Sequence, residues 1–136
     1  MATENMNYGD TISDYLTGTI LKTTPEEIVR QTFIRTLHED YLYPKEIIRR
    51  EVSIQSGSKI LQDETGADIR ADIVVYHNKR AALDGDQGNI LFVVECKKPN
   101  VTDGYNQLVS YVFNTSAVGA VWTNGNQINI YRKTKE

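Results

Sequence analysis

The chain is poor in the residues that build cross-linked or histidine-based sites. It has one cysteine, Cys96, among 136 residues, which excludes an internal disulfide and every multi-cysteine zinc site. Only His38 and His77 are present, so histidine-based catalysis has few candidates. No apolar run approaches the roughly 20 residues that span a bilayer. The opening MATENMNYGDT also lacks the basic-then-apolar order of a signal peptide. The expectation is a cytoplasmic protein with no membrane partner. Positive charge is not in excess either: 15 Lys and Arg against 18 Asp and Glu give a net charge of −3. A strongly basic, histone-like nucleic-acid binder is thereby excluded, and any polyanion has to meet local basic patches or metal-screened carboxylates. There is no G-x-x-x-x-G-K-[ST] loop, so no ATP site is expected in this chain.

What is there suffices for a core. Hydrophobic residues make up 40% and charged residues 24% of the sequence, the balance of an ordinary globular domain rather than a disordered chain. Residues 1–21 read as an N-terminal arm, mobile over 1–10, with a short strand or extended lead-in at 17–22. Residues 22–136 read as one domain. Thr24-Pro25-Glu26-Glu27 is a helix start, with Thr as N-cap, Pro at the first helical position and Glu three residues after the cap. Ile28, Val29, Phe33, Ile34 and Leu37 follow at helical spacing, which predicts a helix to about Asp40. The period then becomes two. Val52 and Ile54 alternate with polar neighbours over 50–55, and RADIVVY (70–76) and ILFVVECK (90–97) are β-branched runs. Residues 57–66 and the segment KRAALDGDQG between the last two runs read as loops. Asp84 and Asp86 there lack the spacing of a calcium loop. Asp103 is placed to cap a second helix bearing Leu108, Val109, Val112 and Phe113. Strands at 117–123 and 127–132 flank Asn124-Gly125, a hairpin signal. Helix, three strands, helix, two strands make an α+β fold with a mixed central sheet between helices.

Three charged residues stand where the apolar pattern does not expect them. Glu95 and Lys97 lie two apart in one strand, hence on one face, with Cys96 opposite; Asp72 interrupts the neighbouring run. If the two strands pair antiparallel, Asp72 and Glu95 share a face, and two carboxylates brought together repel unless a cation resolves them. Hard oxygen donors suit Mg²⁺ or Mn²⁺, and a metal held there can polarise a phosphoryl oxygen, with Lys97 orienting the attacking water. Spacing alone leaves a plain cross-strand ion pair between Asp72 and Lys97 equally open.

Six pieces in order carry a resemblance: Thr24 to Gln31 (TPEEIVRQ), Tyr43-Pro44, Arg70 to Tyr76 (RADIVVY), Val94-Glu95-Cys96-Lys97, Gln107 to Tyr111 (QLVSY) and Thr123-Asn124-Gly125. Over roughly residues 22–132 the chain resembles the N-terminal nuclease domain of type I restriction enzyme R subunits, a branch of the PD-(D/E)xK superfamily. Ala71 stands where the proline that names the superfamily would be. The resemblance implies a restriction-endonuclease-like αβββαβ core and Mg²⁺-dependent hydrolysis of DNA. Asp72, Glu95 and Lys97 would be catalytic, and Asp72, Glu95, Glu27 and the Cys96 backbone carbonyl would be metal ligands. Gln107 and Tyr111 would be a QxxxY element supporting the active centre and the DNA. The implied partners are DNA, a motor domain, and the methylase and specificity subunits of a restriction complex. Glu27 has a competing structural expectation, in which its side chain reaches back to the Thr24 amide as the second half of a capping box. The alternatives in function are a non-catalytic DNA- or protein-binding module on the same fold, and a stand-alone repair or junction nuclease.

Overall fold

The computed structural model describes residues 9–134; the first eight residues of the expected arm lie outside them. The described part of that arm folds as a hairpin of β1 (Thr11–Ser13) and β2 (Ile20–Lys22), closed over a buried Asp14 whose carboxylate accepts from the Leu16 amide and the Thr17 hydroxyl. Helix α1 (Pro25–Glu39) begins as expected, Thr24 Oγ1 accepting from the Glu27 amide at 3.0 Å. It ends before Leu42, whose φ of 66° turns the chain back, and the Tyr43 carbonyl meets His38 Nδ1 at 2.8 Å.

A short 3-10 turn (Lys45–Ile47) leads into β3 (Ile48–Ser53), then β6 (Arg70–Tyr76), β7 (Ile90–Cys96), α3 (Tyr105–Asn114), β8 (Gly119–Thr123) and β9 (Ile128–Arg132). The sheet order is β3-β6-β7-β8-β9. Among the described residues only β7 and β8 run parallel, because α3 carries the chain back across the sheet between them. The αβββαβ sequence of the core is therefore present, within an α+β fold built on a mixed five-stranded sheet.

Alternation along the strands sorts the core into two layers. Ile73, Val75, Val94 and Cys96 pack under Val29, Ile34 and Leu37 of α1. Val74, Tyr76 and Val93 pack under Leu108 and Tyr111 of α3. Cys96 is thus a fully buried core thiol, and Trp122 belongs to the α3 layer. Among the described residues no helix is long and apolar enough to cross a membrane.

Several local expectations need correction. Residues 57–66 are not a bare loop: β4 (Gln55–Ser56) and β5 (Lys59–Ile60) form a small hairpin around Gly57. The Asp63 carboxylate orders the rest by accepting from the Thr65 and Ala67 amides. KRAALDGDQG contains helix α2 (Lys79–Asp84). Asn78 caps it, Gly85 at φ 64° stops it, and Ala81 and Ala82 are buried against the sheet; six helical residues are too few to show a period. On α3 the buried stripe is Leu108 and Tyr111, one i,i+3 row, while Phe113 is 76% exposed. Asp103 does not cap α3; Gly104 holds that position, without a side-chain cap.

Candidate active site

The β6–β7 ladder is antiparallel, with Ile73 facing Val94 and Val74 facing Val93. One step further, Asp72 faces Glu95 and the main-chain pairing gives way. There the Cys96 amide donates to Asp72 Oδ2 at 2.7 Å, so the carboxylate closes the gap where the strands part. On the other side of β6, Glu51 stands opposite Asp72 with φ 51°, a left-handed conformation costly for a non-glycine residue. The Arg50–Ile73 and Val52–Ala71 pairs flank it on either side.

Asp72 and Glu95 are 8% and 4% exposed. They are compensated separately. Asp72 Oδ1 accepts from Arg30 Nη2 at 2.6 Å, and Glu95 Oε2 lies 3.4 Å from Lys97 Nζ. The expected alternative, an Asp72–Lys97 ion pair, is not the pairing formed. Glu95 Oε1 is buried, with no hydrogen-bond partner among the described residues. Burial, then the neighbouring Asp72, pushes the Glu95 pKa up to about 8, against a smaller opposing pull from Lys97. Arg30 shows the reverse balance: burial works against its charge, but Asp72 and Glu27 outweigh it and hold the pKa above the usual arginine value.

These groups open into a polar cleft of about 430 Å³ whose lining includes Glu26, Arg30, Asp72, Glu95, Lys97, Gln107 and Tyr111. Five of the expected site residues therefore share one cleft. Tyr111 forms its buried wall, donating from its hydroxyl to the Arg70 carbonyl at 2.8 Å; burial, then Glu95 and Asp72, raise its pKa. Gln107, a turn earlier, is exposed at the rim. Of Cys96 it is the amide that touches Asp72. Glu27 stands one ion pair away. Its Oε1 takes Arg30 Nη1, and Arg50 Nη2 at 2.6 Å, while Oε2 takes Gln31 Nε2 at 2.9 Å. Its oxygens are thus committed to neither reading anticipated for them: only the Thr24 half of the capping box forms, and the carboxylate reaches the cleft through Arg30.

Sequence reasoning did not find Arg30, Glu26, Asp103 or Gly104. Arg30 follows Glu26 and Glu27 at i,i+4 and i,i+3, a pattern that signals surface ion pairs; nothing local ties it to a residue 42 positions away. Asp103 and Gly104 hold Lys97. Asp103 Oδ1 lies 3.8 Å from Nζ, and the Asp103 carbonyl accepts from Trp122 Nε1 at 2.7 Å. Asn124 steadies the same loop through the Val101 carbonyl at 3.0 Å, which gives the Thr123-Asn124-Gly125 piece a structural role. Gly104 has φ 108°, and a Cβ added there would lie 2.7 Å from Lys97 Cε. Gly104→Ala is therefore expected to destabilise the protein by about 1–2 kcal/mol, the cost of a positive φ for a residue with a side chain, while the flexible Lys97 stem can shift aside. Urea unfolding measures this; a variant as stable as wild type would mean the loop adjusts freely.

Among the described residues no group of three or more His, Cys, Asp or Glu gathers in metal-site geometry. The carboxylate donors that meet in the cleft wall are the Asp72–Glu95 pair. A larger groove of about 820 Å³ lies between α1 and β8–β9, lined by Ile28, Phe33, Val121 and Ile130 among others and, among the described residues, by no charged side chain; the charged groups gather in the smaller cleft.

A mixed sheet carrying two buried carboxylates and a lysine at the mouth of a cleft defines an α+β protein of nuclease-like fold. Residues 25–136 match the family described as the type I restriction enzyme R protein N terminus, and the chain belongs to that family. A search of curated proteins finds no match.

Proposed function

We propose that the chain is the nuclease module of a type I restriction enzyme R subunit, of PD-(D/E)xK type, hydrolysing DNA phosphodiester bonds with Mg²⁺ or Mn²⁺. One observation carries the reading: a buried, unpartnered oxygen, Glu95 Oε1, beside a second carboxylate and a lysine in an open cleft. An orphaned buried acceptor is costly, and hard oxygen donors of this kind fit a divalent cation held by Asp72 and Glu95. When bound, such a cation supplies Lewis-acid polarisation of the phosphoryl group and a more acidic water.

The chain's own residues do the rest. Lys97 keeps its ammonium at the cleft between Glu95 and Asp103, where it can orient a water by donating to it and offset charge on a phosphate. Tyr111 seals the wall behind Glu95, and Gln107 at the rim offers an amide to the DNA backbone. Six carboxylates line this cleft against Arg30, Arg70 and Lys97, so a bare phosphate is repelled and a bound cation favours its approach. A motor domain and the methylase and specificity subunits of a restriction complex are the proposed partners.

A second reading has an observation of its own. Both oxygens of Asp72 are satisfied without a metal, by Arg30 and the Cys96 amide, as they would be in a non-catalytic module. Adding Mg²⁺ or Mn²⁺ separates the two. The nuclease reading expects a higher melting temperature by mass action, equivalent to about 2.7 kcal/mol at a hundred times Kd, and most of that gain lost in Asp72→Asn. A wild-type protein whose melting is indifferent to both ions, with DNA present as well, favours the non-catalytic module.

A further inference from the structure

We infer that Arg30 is a displaceable counter-cation for Asp72: it holds the carboxylate in the metal-free protein and passes to Glu26 when a divalent cation binds. The inference rests on the nuclease reading above and adds to it a device that sets metal affinity.

The geometry around one nitrogen carries it. Arg30 Nη2 lies 2.6 Å from Asp72 Oδ1 and 3.5 Å from Glu26 Oε1, so a second acceptor already stands within salt-bridge distance of the atom that would have to leave. Nη1 remains with Glu27, which Arg50 also grips at 2.6 Å. The guanidinium therefore has a fixed side and a side with two possible acceptors. Nε is buried without a hydrogen-bond partner among the described residues, so the third edge of the group does not lock it in place. Glu26 is 43% exposed at its side chain, against 11% for Asp72, which makes it the weaker partner while Asp72 carries its full charge.

A divalent cation on Asp72 reverses that order. A carboxylate oxygen has lone pairs enough for two partners, but a guanidinium and a divalent cation on the same carboxylate repel each other in a setting with little water to screen them. Glu26, on the cleft lining, is then the better anion for Nη2. Helix α1 need not move; a rotation of the outer side-chain bonds of Arg30 suffices, because Glu26 and Arg30 are one helical turn apart. Arg30 and the metal are competitors for one site, linked as any two ligands are.

Calorimetric titration with Mn²⁺ at fixed pH tests this on four proteins. Arg30→Gln is expected to bind Mn²⁺ more tightly than wild type by about fivefold or more, the lower end of ordinary coupling between ligands. Glu26→Gln is expected to bind it several-fold more weakly, because the guanidinium loses its second acceptor. In the double variant the Glu26→Gln effect is expected to vanish, whereas a through-space charge effect would persist in both backgrounds. Arg30→Gln binding Mn²⁺ no tighter, or an equal Glu26→Gln effect with and without Arg30, overturns the inference and leaves the nuclease reading standing. A wild type that takes up no Mn²⁺ overturns both. Should Arg30→Gln fail to fold, Arg30→Met, which keeps the buried stem without the charge, takes its place in the cycle, and unchanged affinity in Glu26→Gln overturns the inference in either case.

Discussion

Replacing Lys97 by alanine is expected to lower DNA hydrolysis by about 10²–10⁴-fold, the usual worth of a positioned proton-transfer group, while Mn²⁺ binding survives. The ammonium is the cation that faces Glu95 at 3.4 Å, and its stem runs beside Gly104, with Asp103 as a second carboxylate 3.8 Å from the charge. That confinement suits a group whose task is to hold a water or a charge-bearing oxygen in one place. Asp72, the first proposed ligand, is held in place by the Cys96 amide rather than by Lys97, so binding and hydrolysis should separate. The assay belongs in the intact restriction enzyme, where the proposed nuclease would meet its DNA. Cleavage within about twofold of wild type would remove Lys97 from the mechanism.

The second large effect is on stability and needs no substrate. In metal-free buffer the protein is expected to lose stability steadily as pH rises from about 4.5 to about 8, and Glu95→Gln to abolish that slope. Burial and Asp72 hold the Glu95 pKa at about 8 in the folded protein, against an ordinary value of 4.5. Between those values the folded chain keeps a proton that the unfolded chain has released. Stability then falls with pH, because the unfolded state binds fewer protons. Below the ordinary value the penalty is absent; above the folded value it is complete. Each tenfold of proton affinity is worth about 1.4 kcal/mol, so the decline amounts to several kcal/mol, visible in urea midpoints taken with a chelator present. A wild-type midpoint that is flat across this window would mean that Glu95 is charged throughout and solvated by something other than Lys97.

The strands that hold the site were legible because they are buried on both faces. RADIVVY and ILFVVEC coincide with β6 and β7, since a run flanked by turn residues and enriched in β-branched side chains has little else to become. Antiparallel pairing then follows from a register in which Ile73 meets Val94, and it is that register which brings Asp72 opposite Glu95. The start of α1 was equally legible, because Thr24 and Pro25 act within one turn. Helix α2 was not. Its six residues look like turn sequence, and they are helical because Asn78 caps them and Ala81 and Ala82 find the sheet. Phe113 misled for a related reason: hydrophobicity proposes a buried face, but the direction of α3 across the sheet selects Leu108 and Tyr111.

Which carboxylates interrupt the apolar strands, and on which side of the strand they project, can be read along the chain, because both follow from a repeat of two residues. What neutralises them depends on the packing of elements far apart along the chain. Asp72 is answered by Arg30 of α1 rather than by Lys97, Lys97 is shared between Glu95 and the loop at Asp103, and Glu27 is drawn off by Arg30 and Arg50. Periodicity along a chain specifies faces, whereas an ion pair depends on the distance between two charges in space, and that distance is set by how α1 crosses the end of the sheet.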